Sequence, residues 1–156
     1  MQRSRLHSTI GPTPSSLAQS FTVMSLEDPQ EHTWYPDSGA SAHMTLLDGN
    51  LVCKSTYNGS TKVIVGNSAS LLISHIGDCC LHTTTKPLQL TSIYHVPELK
   101  QNLISIKKLC RDNNCHCHVI FDAFLVAIQD KTMGMVLLQV PSSGDLYPTP
   151  STAVSI

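Results

Sequence analysis

The chain has 156 residues, 41% of them hydrophobic, with 10 Lys and Arg against 11 Asp and Glu and a formal net charge of −1. Without a basic block it lacks the concentrated positive charge that binds phosphate backbones through counterion release, so no direct nucleic-acid partner is expected. No apolar run approaches the roughly 20 residues of a membrane-spanning helix, and no continuous apolar h-region opens the chain. The expectation is one small soluble, intracellular domain with no membrane partner.

Residues 1–30 are polar. Arg3 and Arg5, among Ser and Thr with no acid before Glu27, loosely resemble an organelle transit peptide. The stretch "STIGPTPSS" has no helical apolar face, so a disordered linker is the preferred reading. Residues 31–140 carry the folded domain. It opens with "TWY", a strand leading into Asp37, and continues with short alternating or β-branched runs: "KVIV" (62–65), "SLLISHI" (70–76), "CCLHTT" (79–84), "LQLTSIYHV" (88–96), "CHCHVIF" (115–121), "FLVAIQ" (124–129) and "MVLLQV" (135–140). Gly, Asn, Asp and Pro bound them, as hairpins require. Many short strands without intervening long helices predict an all-β antiparallel barrel or sandwich.

One segment has a different period. In "ELKQNLISIKKLCRDNN" Leu103, Ile106, Leu109 and Cys110 recur at spacings of three and four, with Lys107, Lys108 and Arg111 opposite. This predicts one short amphipathic helix, started by Asn102 as cap and stopped by Asn113-Asn114. The Pro/Ser/Thr-rich end, 141–156, is read as a second disordered linker.

Six cysteines without a secretory signal are expected as free thiols, and Asn58-Gly59-Ser60 as an ordinary turn rather than a glycosylation acceptor. Cys110, Cys115, His116, Cys117 and His118 contain the ligand types of a zinc site. If 115–121 is a strand, however, Cys115 and Cys117 face one side with Val119 and Phe121 while His116 and His118 face the other, so no metal and no cofactor are expected. "GASAH" (39–43) lacks the last glycine and the strand-turn-helix context of a nucleophile elbow. His43 is read as a strand residue near a loop.

Asp37-Ser38-Gly39 is the candidate for chemistry. By itself the triplet suits a plain turn. Placed after a strand and before a small-residue stretch, it sets Asp37 at the tip of a strand-loop-strand unit, where Gly39 lets another backbone approach closely.

"WYPDSGASAHMT", "KVIVGNSASLLISHIG", "IYHVPELKQNLISIKKLCRDNN" and "FDAFLVAIQDKTMGMVLLQ" followed by "DLY" together resemble, over about residues 31–147, the protease region of copia-type LTR retrotransposon Pol polyproteins. The resemblance implies a small closed β-barrel of the retropepsin-like (acid protease) type. It also implies an aspartic endopeptidase active only as a homodimer on polyprotein peptides, since one chain holds a single Asp-[Ser/Thr]-Gly. Asp37 would then be catalytic, Ser38 would tie the two active-site loops together, and Gly39 would permit their close packing. Val65, Gly66, Asn67 and Ser68 would form the substrate-binding flap. Many relatives carry Gly where this chain has Ser68, and Ser105 stands where retroviral enzymes usually have glycine. The resemblance further implies a cytoplasmic site, within a virus-like particle if the element is active. The end at 141–156 would lead towards a downstream Pol segment missing from this chain. The competing expectation is a truncated, inactive β-barrel remnant serving only as a structural or interaction domain.

Overall fold

The computed structural model describes residues 32–150. The expected linker over 1–30 lies outside the described residues. The strands are β1 (Thr33–Asp37), β2 (Met44–Thr45), β3 (Val52–Thr56), β4 (Val63–Ile64), β5 (Ser70–Leu71), β6 (His75–Leu81), β7 (Leu88–His95), β8 (Asn102–Ser105), β9 (Cys117–Phe121), β10 (Leu125–Asp130), β11 (Val136–Pro141) and β12 (Thr149–Pro150). One α-helix, α1 (Ile106–Asp112), follows β8 directly.

The β6–β7 hairpin shows how alternation builds the sheet. Leu88 and Leu90 are fully buried and Gln89 is exposed between them, as period two requires. Ile93 is also fully buried, three residues on rather than two. The ladder slips between Gly77 and Cys79, and Ser92 opposite takes a left-handed φ of 49°, so the strand is rephased and Ile93 rejoins the core face. Asp78 accepts the Ser92 amide at 2.9 Å, so the slip leaves that donor satisfied. Gly77 sits in tight quarters: a Cβ there would stand 3.1 Å from both Leu51 Cβ and the Val52 carbonyl oxygen, so these neighbours would have to give by a few tenths of an ångström.

Seven strands pair in the order β12-β1-β8-β2-β7-β6-β3, β9 to β11 form a separate antiparallel meander, and β4–β5 is a two-stranded hairpin. Trp34, Leu81, Leu88, Leu90, Ile93 and Ile104 of the large sheet bury against Leu109 of α1, Cys117, Ile128 and Leu137. Large apolar side chains such as these each contribute about 2 kcal/mol or more. Trp34 Nε1 is buried there without a hydrogen-bond partner. A second cluster, Met44, Val63, Ile73 and Val96, packs with Tyr57, Val65, Tyr94, Leu99 and Leu103 beneath the hairpin.

The fold of the described residues is mostly β with one short α-helix, but several expectations are corrected. Among the described residues the ladders do not close into a barrel: β12 and β3 are free edges of the large sheet. Closure needs an unbroken ladder. At β3, Cys53 adopts φ 51° inside a register shift between Val52 and Ser55, and at β12, Pro150 has no N–H to donate. The helix begins at Ile106, not at Asn102. Its N-cap is Ser105, whose hydroxyl accepts from the Lys108 amide at 3.2 Å, while Asn113 closes it as expected. Asn102 and Leu103 belong to β8, which runs parallel to β1. The expected linker from 141 is in part structured, since Thr149 is 1% exposed and pairs with Trp34 through β12. Cys115 is exposed with φ 59° ahead of β9 and does not share a face with the buried Cys117.

Candidate active site

The parallel pairing of β1 with β8 sets Asp37 opposite Ser105 at the end of both strands. There β8 gives way to α1, and the chain after Asp37 turns through residues 38–43 into β2. The half-buried Asp37 accepts the Gly39 amide on Oδ1 at 2.7 Å, closing an Asx turn. A Cβ on Gly39 would lie 3.3 Å from that same oxygen, so a larger residue would press on the carboxylate. Ser38 and Gly39 are exposed.

Asp37 opens into a cleft of about 460 Å³. The far wall is the β4–β5 hairpin with Val63, Val65 and Gly66; Met44, Tyr94, Leu99 and Leu103 form the apolar floor. Of the expected site residues, Asp37, Gly39, Val65 and Gly66 therefore share one cleft, while Ser38, Asn67 and Ser68 lie outside its lining. Asn67 and Ser68 shape the hairpin tip instead. The Ser68 amide donates to the Val65 carbonyl at 2.8 Å, the Ala69 amide to Asn67 Oδ1 at 3.0 Å, and Ser68 holds φ 65°. Another depression, of about 430 Å³ between residues 82–84 and β11, has no carboxylate or thiol in its wall.

His43 stands immediately before β2, near the loop as expected. It is fully buried, and its Nδ1 accepts the Ser105 amide at 3.0 Å. An amide can only donate, so the ring proton sits on Nε2, which donates to Asp112 Oδ2 at 3.2 Å. Asp112 also accepts the Thr91 amide at 2.7 Å and Lys108 Nζ at 2.9 Å. Burial pushes the His43 pKa from 6.5 down to about 4, against the opposing pull of Asp112. Burial works against ionisation of Asp112 too, but the bonds from Thr91 and Lys108 outweigh it and hold its pKa below the usual carboxylate value. The loop that starts at Asp37 is thus anchored at its other end to β7, to α1 and to the residue beside Asp37. The cue in the sequence was a His within a run of small and apolar residues; its partners, 62 and 69 positions away, gave no local signal.

The thiols of Cys79 and Cys117 pack into the core. Burial pushes both Cys79 and Cys117 up to about 11, with Cys80 and Cys110 adding to the respective shifts. Among the described residues no group of three or more His, Cys, Asp or Glu side chains could hold a metal ion.

A mostly β domain with a strand-end aspartate in a hairpin-walled cleft defines the class, and comparison places it: residues 34–115 match the family "Pol polyprotein, beta-barrel domain", to which the chain belongs. Its relatives include the retrovirus-related Pol polyprotein from transposon RE1 of Arabidopsis thaliana, 33% identical over 148 residues, or 94% of this chain and 10% of that protein. The corresponding polyprotein from transposon RE2 of the same plant is 33% identical over 128 residues, 80% of this chain and 9% of that protein. That from transposon TNT 1-94 of Nicotiana tabacum is 38% identical over 83 residues, covering 53% and 6%. The chain thus spans about a tenth of the length of these relatives. No solved structure matches it.

Proposed function

We propose that this chain is the retropepsin-like aspartic endopeptidase segment of a copia-type retrotransposon Pol polyprotein, working as a homodimer in which each subunit supplies Asp37. The observation that carries the reading is the placement of the lone Asp-Ser-Gly triplet at the end of β1, facing a cleft walled by the β4–β5 hairpin. One carboxylate per chain is half of the required machinery. Two carboxylates about 3 Å apart hold one proton between them: one takes a proton from water as it attacks the peptide carbonyl, and the other protonates the carbonyl oxygen. The apolar floor of Met44, Tyr94, Leu99 and Leu103 suits an extended peptide with an apolar side chain beside the cleaved bond. In this reading Ser38, exposed next to Asp37, bonds across the two loops, and Val65 to Ser68 close over the peptide.

The test combines assembly with turnover. The full chain should sediment as a dimer at high concentration and cleave peptides spanning junctions of its own polyprotein. Asp37→Asn should lower turnover by at least about a hundredfold, the scale for losing a general acid or base, without loss of fold. A monomer without turnover at any concentration would leave a folded but inactive domain.

A further inference from the structure

Outside the cleft, two imidazoles face each other across the β6–β7 ladder. His75 opens β6, His95 closes β7, and the two are direct register partners. Opposed residues in an antiparallel pair project to the same face with Cβ atoms about 5 Å apart, close enough for both rings to reach one atom. Here the ring centroids are 5.6 Å apart and the two Nδ1 atoms 3.4 Å apart. A tetrahedral zinc ion with Zn–N bonds of about 2.0 Å needs its nitrogen ligands roughly 3.3 Å from one another.

The second ring nitrogen of His95 reinforces this geometry. Nε2 lies 3.2 Å from the Leu46 carbonyl oxygen, which can only accept, so Nε2 carries the proton and the Nδ1 lone pair faces His75. A backbone carbonyl on the far nitrogen is the outer-shell contact that orients metal-binding imidazoles. Ser74 Oγ, 2.6 Å from His95 Nδ1 and 2.9 Å from His75 Nδ1, bridges the rings without metal, donating to the first and accepting from the second. Metal binding asks Ser74 Oγ to give up both of these bonds and His75 to carry its proton on Nε2 instead of Nδ1. Asp48 is near enough to act electrostatically on both rings and favours a cation, although Lys54, paired with Asp48 at 2.6 Å, offsets part of that. Both rings are half-buried and reachable from solvent.

We propose that His75 and His95 form a two-imidazole site for a divalent transition cation of the zinc class, with water completing its shell. Imidazole suits zinc, copper and nickel, whereas the oxygen ligands preferred by magnesium and calcium are scarce here. The position gives the cation a structural effect. The Ser74 amide donates to the His95 carbonyl and the Tyr57 amide to the Ser74 carbonyl, so the site sits at the base of the 57–74 arm that carries the β4–β5 hairpin. A cation there pins the arm to β7.

The test is zinc titration of the full chain, labelled with 15N at histidine, after alkylation of the exposed Cys53 and Cys115 under native conditions. Zinc alone should bind saturably at one ion per chain and move the Nδ1 resonances of His75 and His95 together. His75→Gln and His95→Gln, which keep a hydrogen-bonding side chain but are poor zinc ligands, should each weaken binding at least tenfold. His82→Gln, on an exposed loop, should not. Equal affinity in the His75 and His95 variants, shifts confined to other histidines, or no saturable binding would overturn the assignment. None of these readouts depends on proteolysis.

Discussion

Ser68 and Gly39 show how far single residues set local shape. Gly39 lets the Asp37 carboxylate fold onto the following amide, and Ser68 takes a left-handed conformation that glycine adopts freely. A non-glycine residue there costs roughly 1 kcal/mol or more, part of which glycine returns through its greater freedom in the unfolded chain. Ser68→Gly should therefore tighten the tip, slowing hydrogen exchange of the Val65 amide, which bonds to the Ala69 carbonyl, by about twofold to fivefold. Unchanged or faster exchange would show that the strain is relieved elsewhere.

At the scale of elements, the β8–α1 junction decides more than its seven helical residues suggest. Ser105 ends β8, pairs with Asp37, gives its amide to His43 and caps α1 with its hydroxyl. Ser105→Ala should cost about 1 kcal/mol in urea unfolding, the usual loss for an N-cap. Asn102 opens the same strand three residues earlier and does something different. Its Oδ1 accepts from Thr45 Oγ1 at 2.7 Å and the Leu46 amide at 3.0 Å, and its Nδ2 donates to the Thr33 carbonyl, joining β1, β2 and β8. Asn102→Ala should cost about 3 kcal/mol, because it strands several buried polar groups at once. Equal costs for the two variants would contradict this division. The periodicity of "NLISIKKL" was real only from Ile106; Leu103 fits a helical stripe on paper, but its neighbours across β1 and β2 claim it for the sheet.

Across the whole molecule, the burial of His43 ties stability to pH. His43 is neutral in the fold, with a pKa lowered to about 4, and takes a proton near 6.5 when unfolded. The unfolded chain therefore binds more protons between these values. Because burial disfavours the imidazolium more than Asp112 favours it, stability is unaffected by His43 above pH 6.5 and falls by about 3 kcal/mol in all as pH drops towards 4. Asp112, also shifted down, acts in the same direction at lower pH. Chemical denaturation of the wild type should show stability falling across this window, and His43→Gln, whose amide cannot titrate, should flatten the slope. A parallel slope in the variant would move the effect to other groups. Any assay of the proposed proteolysis is therefore better run near pH 6 than near pH 4, where loss of fold would be mistaken for loss of activity.

What the sequence determined by itself was local. Short alternating or β-branched runs marked β7, β9, β10 and β11, whereas β6 spans the Gly77-Asp78 break between the runs 70–76 and 79–84, and the Asp-Ser-Gly triplet marked a strand-end turn because its chemistry is complete within three residues. The tertiary structure decided whatever depends on partners distant in the chain. It placed β8 parallel to β1, turned His43 inward onto Ser105 and Asp112, left the large sheet open at β3 and β12, and carried β12 into the Pro/Ser/Thr-rich end. Contacts across 60 or more residues are set by which faces bury together, and a short window of sequence holds no record of that choice.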